Sequence, residues 1–242
     1  MRVVVFGANG PTGRELVSQA LAADHEVTSV TRHPEQVPAQ ERLAVIGANA
    51  LDPNAVSAAI AGCDAVVSAL GAPRTRKPVT LYSAGMANII EAMNSHHVRR
   101  LVVTGTAAVD TGYHASDSLF FTRVMEPLFM RMPGKTVYAD NRRMEDLIMA
   151  SSLEWTIIRA CWLFDACGVS DYQVVEGTPR AMFTARPDLA ACLLAQLSDS
   201  RNARGMAAVV TTTGTPDLIR QIWREGIRKE KKPVSVARGQ RG

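Results

Sequence analysis

The chain has 242 residues, of which 47% are apolar and 21% charged, and its net charge is +4. That is enough chain for one generous α/β domain or two small ones with a sizeable core, and the composition is ordinary for a globular protein in water. The positive charge is no sign of nucleic acid: residues 228–242, "RKEKKPVSVARGQRG", hold six Lys/Arg and one Glu, a net of +5, so the first 227 residues carry −1.

The first apolar run, Arg2 to Gly7, reads as a strand buried on both faces. "GANGPTG" follows, with Gly7, Gly10 and Gly13 spaced by three, and it opens a helical stretch from Gly13 to Ala23 whose start falls near Pro11 or Thr12. Each glycine has its own expected task. Gly7 ends the strand with a φ that a Cβ forbids, Gly10 lets a ligand approach the backbone, and Gly13 lets the helix pack on the sheet. Free N–H groups and the positive end of the helix dipole then face the turn, which suits a pyrophosphate.

The next strand, Glu26 to Thr31, runs into "RHPEQ", where no acid appears before Glu35. An acid here would hold the adenosine ribose 2′-hydroxyl of NAD, whereas Arg32 can fork onto a 2′-phosphate. The expected cofactor is NADP(H).

Strands are further expected at Leu43 to Gly47, Ala65 to Leu70, Arg100 to Thr104, Trp155 to Arg159 and Met206 to Thr211. Helices are expected at Pro53 to Ala61, Pro78 to His96, Asp140 to Ser151 and Pro187 to Leu197. Apolar strands alternating with helices imply a doubly wound parallel sheet, a Rossmann fold. Residues 1–227 form a single domain in this reading, and the basic tail is a solvated end. Residues 111–139 and 160–181 read as insertions that cap the C-terminal edge of the sheet, with a helix from Ser118 to Met132. Cys63, Cys161, Cys167 and Cys192 lie in apolar surroundings without C-x-x-C spacing, as buried reduced thiols do. The scattered histidines offer no metal site. No run approaches the roughly 18–20 apolar residues of a membrane helix, and a charged start excludes a signal peptide. A cytoplasmic monomer or homodimer is expected, with a small-molecule partner and neither nucleic acid nor membrane.

These motifs carry a resemblance. "GANGPTG", the Arg after the second strand, "GANALDPNAVSAAIAGCDAVVSALG" and "DNRRMEDLIMASSLEWTIIR" together resemble the atypical short-chain dehydrogenases/reductases of the NmrA-like, NAD(P)H-binding group. Within it, the strand-loop-helix "ALGAPRTRKPVTLYSAGMANIIEAMNSHHVRRLVV" is most similar to the biliverdin reductase B (flavin reductase) type. The likeness spans about residues 1–215. It implies that Gly7, Asn9, Gly10, Pro11, Thr12 and Gly13 hold the pyrophosphate and that Arg32 holds the 2′-phosphate. It also implies that Leu51 and Asp52 flank the adenine and that Ala69, Leu70 and Gly71 line the nicotinamide-ribose side. Thr106 stands where the group usually has an active-site Ser or Thr. "TIIRA" departs from the group's frequent Arg-Pro, so the pocket floor from Cys161 to Phe164 can differ.

Forming an alcohol by hydride transfer requires an acid, which short-chain reductases supply as Tyr with Lys four residues on. Here Tyr82, Tyr113, Tyr138 and Tyr172 are followed at that distance by Met86, Asp117, Arg142 and Glu176. Tyr138 with Arg142 is the near miss, and Tyr138 and Thr106 are the catalytic candidates. A flavin, a quinone or an aromatic polyketide-like ketone delocalises the incoming charge and can take its proton from water. NADP(H) features without the Tyr-Lys pair therefore favour a reductase of a planar conjugated acceptor, roofed by Tyr113, Trp162 and Phe164. A non-catalytic NADP(H)-sensing regulator and an isomerase or epimerase with tightly held NADP are the alternatives.

Overall fold

The computed structural model describes residues 1–73, 75, 77–110, 135–179, 181–199 and 201–216. Tyr113, the expected helix from Ser118 to Met132 and the basic tail lie outside the described residues.

The strands run β1 (Arg2–Phe6), β2 (Glu26–Thr31), β3 (Leu43–Gly47), β4 (Ala65–Ser68), β5 (Arg100–Thr106) and β6 (Glu154–Ala160). They continue as β7 (Trp162–Phe164), β8 (Tyr172–Glu176), β9 (Phe183–Ala185) and β10 (Gly205–Thr211). The helices are α1 (Pro11–Ala22), α2 (Pro53–Ile60), α3 (Leu81–Ser95), α4 (Lys135–Ala150) and α5 (Arg186–Ser198). The main sheet has the order β3-β2-β1-β4-β5-β6-β10-β8, and β7 pairs with β9 separately. Strands β1 to β6 and β10 are parallel, as their unbroken apolar runs imply. The fold is a doubly wound Rossmann sheet.

One core forms on each face. Val4, Phe6, Val66, Leu101 and Val103 pack under α2, α3 and α4, with Met86, Ile89 and Ile148 fully buried among them. Val3, Val5, Val67, Val102 and Ile158 face α1 and α5, where Leu16, Leu189 and Leu193 are buried. Successive strand residues thus alternate between two apolar layers.

Three expectations change. The stretch 160–181 is not irregular throughout: it contains β7 and β8, and β8 joins the sheet edge antiparallel to β10. Its "YQVVE" is exposed at three of five positions and buried at none, as an edge strand allows, so it lacked the apolar run that marks the interior strands. Helix α4 begins at Lys135, five residues earlier than the Asp140 start read from sequence, which brings Tyr138 into its first turns. The four thiols are not uniformly buried either. Cys161 and Cys192 are, Cys63 is partly covered, and Cys167 is exposed in the loop after β7. Burial pushes the Cys192 thiol up to about 12, as it does Cys63 to about 11.

Candidate functional site

The parallel strands all end at one edge of the sheet, and a cleft of about 660 Å³ runs along it. It starts at the glycine turn after β1 and crosses the ends of β4 and β5. It finishes against Trp162 and Leu163 of β7. Doubly wound folds bind ligands where crossovers leave in opposite directions, here between β1 and β4.

The three glycines of the turn do different work. Gly7 has φ +78, and a Cβ on it would lie 2.4 Å from the Ala69 carbonyl oxygen. Gly13 is covered by protein, since its Cβ would lie 2.2 Å from the Gly7 oxygen. Both are needed for β1, β4 and α1 to come together, and Gly13 lies beneath the cleft wall rather than on it. Gly10 alone opens outward: its Cβ would meet only the Gly7 oxygen, at 3.2 Å, and its φ of −69 suits any residue. Gly10 caps α1 without any side-chain hydrogen bond, Pro11 has no N–H, and Thr12 and Gly13 have no intrahelical acceptor. Asn9 is held beside the turn, because its side-chain oxygen accepts from Arg14 Nη2 at 2.7 Å and its amide donates to Gln36 at 2.8 Å.

Arg32 and His33 enter the cleft from the end of β2. His33 Nδ1 lies 3.3 Å from Glu35, so the nearest acid is engaged elsewhere, and Arg32 has no ion pair among the described residues. Beyond β3 the wall consists of Ala48, Asn49 and Ala50, not the expected Leu51 and Asp52. Asp52 is instead the N-cap of α2, its carboxylate accepting from the amides of Asn54 at 3.0 Å and Ala55 at 3.2 Å, and Leu51 is exposed. The chain crosses the sheet edge two residues earlier than the resemblance implied and then turns down into the helix.

At the middle of the cleft, Ala69, Leu70 and Gly71 form the lip after β4. Two residues missed in the sequence secure this lip. The Ala72 amide donates to the Tyr82 phenol oxygen at 2.8 Å, and Asn141 lines the cleft beside Tyr82. Burial raises the Tyr82 pKa, so the phenol stays protonated at neutral pH. Asp140 of α4 caps α3 from across the interface: it accepts from the Tyr82 amide at 2.8 Å and from the Ser83 hydroxyl at 2.5 Å. A Tyr without Lys four residues on gave no signal for this role.

Thr106 ends β5 on the cleft wall, with its hydroxyl oxygen accepting from the Ala108 amide at 3.3 Å, and its proton has no acceptor among the described residues. Tyr138 lines the same stretch. Its expected cationic partner, Arg142, donates to the Val109 carbonyl. Deeper in, the Thr104 hydroxyl is buried on the cleft wall with no partner among the described residues, a site a bound polar group can satisfy. Trp162 is on the wall, but Phe164 is not. It is 5% exposed and packs edge-on against Phe183 with ring centroids 6.0 Å apart. Residues two apart share a face of a strand, so Trp162 packs against the Phe164–Phe183 cluster, covers it and itself reaches the cleft wall.

The residues present therefore fit a dinucleotide: an open glycine, free helix N–H groups, an unpaired arginine and an orphaned hydroxyl along one groove. Charged side chains on the wall are Arg32 and Arg186, joined by His33, with no carboxylate among the described residues. Such a fold and cleft define a dinucleotide-binding protein of the doubly wound class. Residues 7–200 match the NAD(P)H-binding family, and the chain belongs to it. It is 28% identical to the uncharacterised protein YwnB of Bacillus subtilis, over 78% of this chain and 84% of that one. It is 26% identical to the uncharacterised sugar epimerase YhfK of the same organism, over 89% and 96%. Among solved structures, a short-chain dehydrogenase/reductase from Veillonella parvula in complex with NADP superposes with a TM-score of 0.73 at 18% identity, covering 88% of this chain and 95% of that one. That likeness establishes the fold.

Proposed function

We propose that this protein is an NADPH-dependent reductase that delivers hydride to a planar conjugated acceptor, a flavin, a quinone or an aromatic polyketide-like ketone. The observation that carries this reading is that Tyr138 on the cleft wall has Arg142, not Lys, four residues on, and that Arg142 donates to the Val109 carbonyl. When bound, NADPH supplies a hydride, and the acceptor takes up two electrons with that hydride and a proton from water. Gly10 and the first amides of α1 hold the pyrophosphate, and Arg32 holds the 2′-phosphate. Thr106 orients the carboxamide or an acceptor oxygen through its free proton. Trp162 supplies a flat apolar face at the acceptor end. The NADP complex of the Veillonella parvula relative supports the cofactor choice.

Two expected results follow from these roles. Arg32→Ala removes the fork on the 2′-phosphate, so a wild-type preference for NADPH over NADH of tenfold or more, about 1.4 kcal/mol, falls close to one. Calorimetry with both cofactors measures this, and equal wild-type affinities would remove the argument. Tyr138→Phe is expected to change turnover little, while Trp162→Ala raises the acceptor KM. A loss of a hundredfold or more in turnover for Tyr138→Phe, about 2.7 kcal/mol of barrier, would reinstate the tyrosine as a working acid and move the reading to carbonyl reduction.

The direct test is steady oxidation of NADPH with riboflavin or a naphthoquinone. The relation to YhfK favours a second reading, an epimerase that keeps its nucleotide. That protein would purify with NADP bound and show no net NADPH consumption with any acceptor.

A further inference from the structure

Beyond the glycine turn, the cleft carries a second cation. Arg186, the first residue of α5, lines it together with Trp162 and Leu163. Its side chain is only 16% exposed, and one nitrogen, Nη1, donates to Asp165 at 2.6 Å. The other guanidinium nitrogens have no partner among the described residues. Asp165 is itself 61% exposed and does not line the cleft, so it does not fill the donor fork from the cleft side.

Arg186 stands far from the residues that suit the cofactor's phosphates. It directly follows β9, and the backbone of β9 is tied to β10, since the Ala185 amide donates to Thr211 Oγ1 at 2.8 Å. Strand β10 lies four places from β1 in the sheet, roughly 19 Å at the usual strand spacing. The start of α5 also meets α1 well down its length: Gln19 donates to the Pro187 carbonyl at 3.1 Å, nine residues past Gly10, or about 13 Å of helix. Trp162 of β7, by contrast, lines the same end of the cleft, and its ladder partner Phe183 lies three residues before Arg186.

An arginine and a tryptophan on the wall of one groove whose described wall holds no carboxylate suit a flat molecule that bears an acid. We infer that Arg186 binds the carboxylate, sulfonate or phosphate of an anionic planar acceptor, an inference that rests on the acceptor end assigned under the proposed function. A planar guanidinium fork matches such groups in two-point fashion. Asp165 holds the guanidinium in place until the acid arrives.

The test is binding rather than turnover. Riboflavin and FMN share one ring system and differ by a phosphate, and a neutral naphthoquinone pairs in the same way with its carboxylated analogue. Each is titrated by fluorescence into protein saturated with NADP+. The acidic member of at least one pair is expected to bind tenfold or more tightly. Arg186→Gln should abolish that preference without changing affinity for the neutral member or for NADP+, and Asp165→Asn should increase it. No preference in either pair for the wild-type protein would overturn the inference. So would a variant that weakens NADP+ binding alone, because the anion served would then be the cofactor's own phosphate. A protein that binds the acidic acceptor through Arg186 yet oxidises no NADPH sinks the reductase reading and leaves this inference standing. A working reductase without acid preference does the reverse.

Discussion

Replacing Gly10 by valine is expected to abolish NADPH binding while leaving the fold intact. The reason is the contrast among the three glycines. A Cβ at Gly7 or Gly13 would lie 2.4 or 2.2 Å from a backbone oxygen, distances at which the chain itself must move. At Gly10 the nearest atom is 3.2 Å away, and the backbone already has a conformation that valine adopts, with φ −69 and ψ 161. A small give of the Gly7 carbonyl accommodates the Cβ, and the two methyl groups then occupy the space in front of the Thr12 and Gly13 amides. Affinity should fall by a hundredfold or more, about 2.7 kcal/mol, with the circular dichroism and melting temperature of the wild type. Gly13→Ala provides the control, since it should lower the melting temperature through the clash with Gly7. Normal NADPH binding by a folded Gly10→Val protein would place the cradle elsewhere.

The largest loss of stability is expected from Glu145→Ala. Glu145 of α4 is buried, and Arg159 of β6 forks onto it, with Nη2 2.7 Å from Oε2 and Nε 3.1 Å from Oε1. That hydrogen-bonded pairing raises the arginine's pKa above its usual value, so the guanidinium is charged at every accessible pH. Asp110 lies 3.6 Å from Arg159 Nη1 and cannot replace the fork. Removing the carboxylate leaves a cation in a low-dielectric seam between sheet and helix. Breaking such a pair costs about 3–5 kcal/mol, which corresponds to a fall of roughly 10 °C in Tm for a chain of this size. The double variant Glu145→Leu with Arg159→Met should recover most of the loss, because a packed apolar pair carries no desolvation cost. A single-variant loss below about 1 kcal/mol would show that the seam is held by other contacts. The position matters for the site as well. Gly105 packs against the Glu145 oxygen so closely that a Cβ would approach it to 3.0 Å, and Thr106 is the next residue along β5.

The sheet and the cofactor end of the cleft were legible in the sequence because their signals are local. Unbroken apolar runs mark strands buried on both faces, so the seven long strands read correctly to within two residues at either end. "GANGPTG" between a strand and a helix specifies a turn whose geometry depends on nothing distant, and the absence of acid before Glu35 is a fact of composition. The short strands β7, β8 and β9 were not legible. β7 and β9 are three residues each, too short to tell from a loop, the polar-interrupted YQVVE of β8 is no apolar run, and the pairing partners of all three lie about twenty residues or more away.

The sequence by itself determined the doubly wound sheet, the glycine turn and the NAD(P)H-binding family, since each follows from periodicity or from residue types at fixed short spacing. Only the tertiary structure decided which side chains face the cleft. Asp52 carries a strong capping signal as well as a place in the family pattern, and the amides of Asn54 and Ala55 claimed it. Phe164 and Trp162 share one face of β7, and the pairing with β9 buries Phe164 against Phe183 while Trp162, packed over the same cluster, reaches the cleft wall. Tyr82 became part of the site because Asp140, 58 residues away, caps the helix that carries it. Arg142 donates to a carbonyl 33 residues away. Periodicity tells a side chain which face of its own element it occupies, but a hydrogen-bond partner is chosen by what the folded chain brings within about 3 Å, and that choice made the site.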